Sequence, residues 1–191
     1  MGTLTYAQLS TEVTAAMGGG DFSARMATVL NLAQNRIARI RDWAELQDVS
    51  SGTLPYTGVG ATDKSFSLPV GTKDIHSFVI QDGASSRKLR SIGWRRFDRI
   101  FPLPEFLAPS WPVYYVRWAQ KAVLVPVPNK AYAYEIRRSK WPSVFDATVG
   151  QLSELDQKDD VLIQLATAYL WDGSGRPDLA EPLRADAFRR L

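Results

Sequence analysis

The pattern of apolar and polar positions divides the chain into a helical beginning, a strand-rich middle and a helical end. Between residues 21 and 47, Phe22, Met26, Val29, Leu30, Ala33, Ile37, Ile40 and Ala44 fall in one stripe when wound at about 100° per residue. No Pro or Gly interrupts the stretch, Asp21 suits its amino-terminal cap, and Gly18, Gly19 and Gly20 stop whatever precedes it. The spacing predicts one long helix over 21–47. A second row, Arg25, Leu32, Arg36, Arg39 and Trp43, runs beside the stripe with the spacing of a helix-to-helix seam. Two readings fit that row: a contact face for a neighbouring subunit, or the edge of a single wide core face with arginine stems laid along it. Residues 5–17 predict a shorter first helix, with Thr5 and Gln8 as a capping box and Leu9, Val13 and Ala16 on one face.

From Val49 the helical period vanishes. Short runs bounded by turn residues predict strands at 53–56, 65–70, 74–81, 87–91, 113–119, 122–127 and 131–140. Phe66 and Leu68 alternate with serines, and Tyr132, Tyr134 and Ile136 alternate with smaller or polar residues, as half-buried antiparallel strands require. Asp82-Gly83 and Asn129-Lys130 are the candidate hairpin turns. An insert at 92–112 breaks the series. Its first part, 93–101, predicts one or two helical turns, and Pro102, Pro104, Pro109 and Pro112 make the rest a fixed extended loop. Trp94, Phe97, Phe101, Phe106 and Trp111 argue against disorder there. Helical spacing returns at 156–171, with Leu162, Leu165, Ala166 and Tyr169 on one face and acidic residues in the first turn. A last helix is predicted near 181–191, with Pro182 at its first position. The expected fold is α+β: N- and C-terminal helices (1–48 and 143–191) form a bundle, and an antiparallel β sandwich or barrel-like lobe (49–142) is inserted between them.

Composition narrows the chemistry. The chain has 191 residues, 45% of them hydrophobic and 23% charged, which is ordinary for a globular protein. With no cysteine, disulfides, thiolate metal sites and thiol nucleophiles are excluded. The single histidine, His76, cannot build a His-rich metal site. No apolar run is long enough to span a membrane, and the first residues lack the charged-then-apolar order of a secretory leader. Nucleotide-binding loops, a nucleophile elbow and an EF-hand are all missing from the sequence. Asp159 and Asp160 are neighbours on a helix and point apart, and Asp98 among Arg95, Arg96 and Arg99 reads as part of a salt-bridge network. No catalytic, metal-ligating or cofactor-binding residue is therefore assigned, and an enzyme is not expected.

Charge is unevenly spread. Residues 1–48 carry 4 basic and 5 acidic side chains, 49–142 carry 14 and 6, and 143–191 carry 5 and 9. A basic middle and an acidic end suit a polyanionic partner or head-to-tail pairing of copies. The basic cluster Arg87, Lys88, Arg90, Arg95, Arg96 and Arg99 is interleaved with Trp94 and Phe97. Such interleaving can bind single-stranded nucleic acid, or it can be a solvated or intersubunit surface.

Three stretches together, 31–47 (NLAQNRIARIRDWAELQ), 89–102 (LRSIGWRRFDRIFP) and 112–142, carry a resemblance. A long early helix ends in an Arg-rich stretch with Trp43; Phe97-Asp98-Arg99-Ile100-Phe101-Pro102 follows; then come the strand at Trp111–Tyr115, the turn Pro126-Val127-Pro128 and the acid-started helices from Asp156. The order resembles the head-to-tail adaptors of short-tailed phages, also called tail tubular protein A or gatekeeper proteins. Pro182 departs from the pattern, where an unbroken helix is expected. The resemblance implies a dodecameric ring between the phage portal protein and the tail nozzle, with duplex DNA passing transiently and without sequence preference, and no catalysis. It implies a place in the virion neck or tail, with assembly in the host cytoplasm. The residues expected at subunit or partner interfaces are Arg25, Leu32, Arg36, Arg39, Trp43, Trp94, Arg95, Arg96, Phe97, Arg99, Phe101 and Trp111. Two other readings stay open on the residues alone: a β-barrel nucleic-acid-binding module, and a sugar-binding sandwich using Trp111 or Trp118.

Overall fold

The computed structural model describes residues 4–146 and 150–191. In chain order the helices are α1 (Tyr6–Ala16), α2 (Ser23–Ile40), α3 (Gly60–Asp63), α4 (Trp94–Ile100), α5 (Asp159–Gly173) and α6 (Pro177–Arg189). The strands are β1 (Gln47–Thr53), β2 (Ser65–Ser67), β3 (Thr72–Asp82), β4 (Ser85–Lys88), β5 (Arg90–Ser91), β6 (Tyr114–Trp118), β7 (Lys121–Val125) and β8 (Ala133–Lys140). The chain forms two compact units, one from its two ends, up to Leu46 and from Trp141, and one from Gln47–Lys140. The protein is thus a mixed α+β chain with terminal helices and antiparallel-rich sheets.

In the helical unit α1 begins as its sequence dictates. The Gln8 N–H donates to the Thr5 hydroxyl oxygen at 3.3 Å and the Thr5 N–H donates to Gln8 Oε1 at 2.9 Å, closing the capping box. Leu9 and Val13 are buried as expected; Ala16 is exposed, and Tyr6 and Met17 complete the face instead. The helix α2 is shorter than its apolar stripe. Its cap is Phe22, and Asp21, one residue earlier, accepts from the Ser23 N–H at 3.0 Å. At the other end Arg41 turns extended, with φ −157°. The cause lies in Trp43: its indole N–H donates to the Ile37 carbonyl at 2.8 Å, replacing the residue-41 N–H that would continue the helix. The Trp43 ring is only 4% exposed, and the Arg41 guanidinium and the Lys158 ammonium lie 3.8 Å and 4.4 Å from its centroid. Lys158 also pairs with Glu45. Burying this ring outweighs two more turns of helix, so Ile40, assigned to the core stripe, is 46% exposed, and Ala44 starts a short 3-10 turn, Ala44–Leu46.

The middle of this unit is α5, which packs on α1, α2 and α6. Val161, Leu162, Leu165, Ala166, Ala168 and Leu170 are all buried, so its apolar surface runs nearly all round. The one buried hydroxyl on it, Thr167, donates to the Ile163 carbonyl at 2.8 Å. The helix spans Asp159–Gly173 rather than 156–171. The last helix begins earlier than expected, at Pro177, and runs through Pro182. Pro182 cannot donate to the Asp178 carbonyl, but both residues are exposed there, so water can serve that carbonyl and the helix continues. The returning segment is tied to α2 by two side chains. Asn31 donates to the Phe145 carbonyl at 2.9 Å and accepts its N–H at 2.8 Å, and buried Gln34 donates to the Ser143 carbonyl at 2.8 Å.

The β unit is a sandwich of two four-stranded sheets, ordered β1-β8-β3-β4 and β2-β7-β6-β5. Every pairing is antiparallel except β5 with β6. Phe78, Ile80 and Ile136 of the first sheet meet Phe66, Tyr115 and Leu124 of the second in one core, with Leu54, Leu68, Leu89 and Tyr132 from the connections. The alternation read in 65–70 and 131–140 therefore points the right residues inward. Three expectations differ. No strand forms at 53–56; β1 occupies 47–53, where the apolar period had suggested helix and a boundary. The run 87–91 splits into β4 and β5, in different sheets. Asn129-Lys130 is not a hairpin turn, because β7 and β8 belong to different sheets; Asn129 accepts from the Tyr132 hydroxyl at 2.6 Å and Lys130 pairs with Asp82 at 2.8 Å. The tight turns are at Gly83-Ala84, where Gly83 has φ +55°, and at Ala119-Gln120, where Ala119 has φ +53°.

A buried carboxylate holds the loop before β2. Asp63 accepts from the Thr57 N–H, the Thr57 hydroxyl and the Gly58 N–H, each at 2.8 Å. Burial alone raises the Asp63 carboxyl, but these hydrogen bonds, led by the Thr57 side chain, outweigh it and hold the group below its ordinary value.

Two outcomes test these contacts. Trp43→Phe keeps most of the ring but strips the donor from the Ile37 carbonyl, and should cost about 1–3 kcal/mol in urea unfolding followed by helical circular dichroism; Trp43→Ala should cost about 3–5 kcal/mol. For Asp63, a depressed folded-state pKa means stability present above the unfolded value and lost as pH falls through the folded one. Asp63→Asn should therefore weaken the β unit by about 1–3 kcal/mol at pH 7. The difference should shrink below about pH 4. A pH-independent difference would show that the charge plays no part.

Candidate assembly surfaces

The insert at 92–112 is built on the outer face of the second sheet. In β7 both faces are apolar: Ala122 and Leu124 enter the sandwich core, while Val123 and Val125 join Val116 of β6 on the opposite side. That second face would be wet without α4. Gly93 leads into the helix in an extended conformation, and the seven residues Trp94–Ile100 place Trp94, Phe97 and, just beyond, Phe101 at spacings of three and four, all toward the sheet. Phe97 is buried against Val116 and Val125. Trp94 stacks on Phe97 with centroids 6.0 Å apart and leans on Trp118 at 4.4 Å; Phe101 meets Phe97 edge-on at 5.8 Å and Tyr114 at 6.0 Å.

The same geometry turns Arg95, Arg96, Asp98 and Arg99 to solvent. None of the four makes an ion pair or side-chain hydrogen bond among the described residues. The local salt-bridge network expected around Asp98 does not form. A helix of barely two turns, exposed along this side, leaves each side chain free to stay hydrated, which competes well with an exposed ion pair. Of the expected aromatic set, Trp94, Phe97 and Phe101 come together and Trp111 does not join them. Trp111 stacks on Tyr132 at 5.9 Å beside the sandwich core, with the Arg87 guanidinium 4.7 Å from its ring.

The rest of the insert presents apolar side chains. Pro104 is buried, and the Lys64–Glu105 ion pair, 3.0 Å long, anchors the 3-10 turn Pro104–Phe106. Beside that anchor Leu103 and Leu107 are exposed and Phe106 is 81% exposed. In the sequence Phe106 argues only against disorder. Its exposure follows from the buried Pro104 and the ion-paired Glu105 just before it, which fix the turn, and no spacing rule signals that.

In the helical unit the second row of α2 divides. Arg25 donates to the Gly173 carbonyl at 3.4 Å, Arg36 lies 5.3 Å from the Phe188 ring, and Arg39 lies 5.9 Å from the Trp141 ring. Those arginines lie along neighbouring elements of the same unit, as the edge-of-core reading describes. Trp43 lies beyond the helix and is buried. Leu32 is 52% exposed, and Ile40, two turns further along, is exposed as well.

The two units differ in charge. The helical unit, residues 1–46 and 141–191, has 9 basic and 13 acidic side chains; the β unit, 47–140, has 14 and 7. Acids of the helical unit are widely paired at home, Asp172 with Arg184, Asp178 with Arg176, and Asp160 and Asp186 both with Arg190. Among the described residues there is no group of three or more His, Asp or Glu that could hold a metal ion, and no helix is long and apolar enough to cross a membrane.

Residues 4–191 match the family profile described as SU10 adaptor protein, and the chain belongs to that family. No curated protein matches the chain. Membership gives the protein a structural role as a phage head–tail adaptor, a component of the virion neck that interacts with other head and tail proteins. It gives no support to the β-barrel nucleic-acid-binding module.

The two sides of α4 should separate cleanly on mutation. Phe97→Ala should destabilise the β unit by about 3–5 kcal/mol, as a buried phenyl does. Arg95→Ala, Arg96→Ala and Arg99→Ala should each stay within about 0.5 kcal/mol of the parent protein in the same denaturant titration.

Proposed function

We propose that this phage adaptor works as a closed homo-oligomeric ring, dodecameric as the resemblance implies, seated between the portal protein and the tail nozzle of a short-tailed phage. Duplex DNA passes through it unread, and the protein performs no catalysis. The observation that carries this reading is the family match, which runs through both units and leaves neither as an unrelated appendage. The surfaces support it. Leu32, Ile40, Leu103 and Phe106 are apolar and uncovered in a single copy, and the α4 arginines are unpaired. The excess of acid in one unit and of base in the other lets neighbouring copies pair unlike charges.

Magnitudes rank these contributions. An exposed ion pair is worth about 0–1 kcal/mol and is screened by salt. An aromatic or aliphatic anchor in a packed interface is worth about 2 kcal/mol or more. Apolar contacts must then supply most of the affinity, and charge mainly sets orientation and encounter rate. DNA transit sets an opposite demand. Three phosphate contacts per subunit would give a log–log salt slope of about −2.7, and a ring would multiply that into a brake. The α4 arginines are accordingly assigned to assembly in preference to DNA.

Electron microscopy of the purified protein mixed with its portal tests the ring directly: rings capping the portal are expected, and isolated monomers at high concentration would overturn the reading. Leu32→Asp and Phe106→Asp should each weaken assembly about thirtyfold, the equivalent of about 2 kcal/mol. Raising salt alone should weaken it only modestly. Tight duplex binding at physiological salt, abolished by Arg96→Ala while rings persist, would contradict the assignment of the arginines.

A further inference from the structure

Among the sheet edges, β1 is unusual. Its seven residues pair with β8 in unbroken register, from Gln47 opposite Ser139 to Thr53 opposite Ala133. Just beyond, the Leu54 N–H donates to the Tyr132 carbonyl at 2.8 Å in the same register. Hydrogen bonding alternates along an antiparallel pair, so Asp48, Ser50 and Gly52 also aim their N–H and C=O groups at β8. Val49, Ser51 and Thr53 aim theirs the other way. Among the described residues nothing pairs with those outward groups. Leu54 and Gly52 face the core, with Gly52 lying against the Tyr134 ring, so Val49, Ser51 and Thr53 carry their side chains on the outer face; Val49 is 59% exposed.

Folded proteins guard such edges with brevity, lysine, proline or bulges. Here the other three edges are guarded. β2 has three residues and β5 two, and β4 carries Arg87 and Lys88. From Val49 to Thr53, β1 has no charge, no proline and no bulge. On the outer face beside it, Arg137 stands opposite Val49 with its side chain 68% exposed, its Nε donating to the Glu135 carboxylate at 3.1 Å. A cleft of about 390 Å³ opens there, lined by Gln47, Asp48, Val49, His76, Arg137 and Arg138. The Arg138 guanidinium is buried, with Nη1 donating to the Val70 carbonyl at 2.8 Å and Nη2 to Asp48 at 2.8 Å, while its Nε has no partner.

We infer that β1 is a docking edge for an extended, acidic segment of another protein, which adds a fifth antiparallel or parallel strand to the first sheet and sets a carboxylate near Arg137. Main-chain bonds to Val49, Ser51 and Thr53 supply the attachment, and the excess of base over acid in the β unit, 14 side chains against 7, favours an acidic segment over a basic one. A second copy of this chain is the poorer occupant. Only its own β1 is long enough to cover this edge, and that pairing sets two β units side by side, each with 14 basic and 7 acidic side chains.

The backbone geometry supplies the test. In the free protein the amides of Val49, Ser51 and Thr53 should exchange with deuterium at least tenfold faster than those of Ser50 and Gly52; in phage particles they should become as slow. Ser51→Pro removes only an outward N–H and should fold normally yet enter particles at least tenfold less well, and Arg137→Glu should do the same. Cryo-electron microscopy of the particle should show a strand of a different protein along β1, with a carboxylate at Arg137. A bare edge, an edge filled by another copy, unchanged amide exchange in particles, or normal incorporation of Ser51→Pro would each overturn the inference. Its failure is separable from that of the ring: rings with bare β1 edges would refute the docking edge alone, and filled edges without rings would refute the ring alone.

Discussion

Burial of α5 on nearly every side is the constraint from which the helical unit follows. A helix apolar all round needs neighbours all round, and α1, α2 and α6 are those neighbours. α1 and α2 come from the first 40 residues and α5 and α6 from the last 33, so the unit is closed by segments that flank the β unit in sequence. Closure is then secured by polar contacts reaching across the sequence. Asn31 and Gln34 hold the returning segment at Phe145 and Ser143, and the Leu4 N–H donates to Asp159 at 2.8 Å. Burial pushes the Asp159 carboxyl up, and the neighbouring charges of Asp156 and Asp160 add to the effect against the bond from Leu4. The first turn of α5 thus keeps some electrostatic tension where the helix dipole favours acid.

The β unit solves a different problem. A two-layer sandwich ordinarily has two wet outer faces, with polar residues alternating outward. The second sheet departs from this at β7, where Val123 and Val125 face out, and the departure is repaired by α4 through Phe97. The insert is therefore a third layer over half of one sheet. The covering helix turns its unpaired arginines outward, and the loop that follows it exposes Phe106. Stability and surface chemistry are coupled in one short segment: the aromatic residues that keep it in place set the direction in which its cations point.

The adaptor role asks a protein to present several surfaces at once, and this chain separates them by chemistry. The exposed Leu32 and Ile40 of α2 and the tip of the insert are apolar. The α4 surface is cationic, and the β1 edge offers backbone hydrogen bonds. Apolar contact, charge and strand pairing differ in their dependence on salt and on geometry. Partners of different kinds can then be met by different elements without competing for one site.

Periodicity by itself determined much of the framework. The capping box at Thr5 and Gln8, the buried positions Met26, Leu30, Ala33 and Ile37, the inward alternation of Phe66, Leu68 and Ile136, and the helical start of the insert all follow from local spacing that tertiary packing then confirms. Tertiary structure decided what spacing could not. The apolar stripe runs on past Ile40, but the chain leaves the helix because Trp43 gains more by burial between two cations than by extending a ridge. Arg25, Arg36 and Arg39 share a spacing with Leu32, yet only the packing of α5, α6 and Trp141 shows which of them lie along neighbours and which side chain stays open. Ser50 and Ser51 are alike in sequence, and only the pairing of β1 with β8 turns the amide of one inward and of the other outward, because hydrogen-bond direction in a sheet is a property of the partner strand and not of the residue.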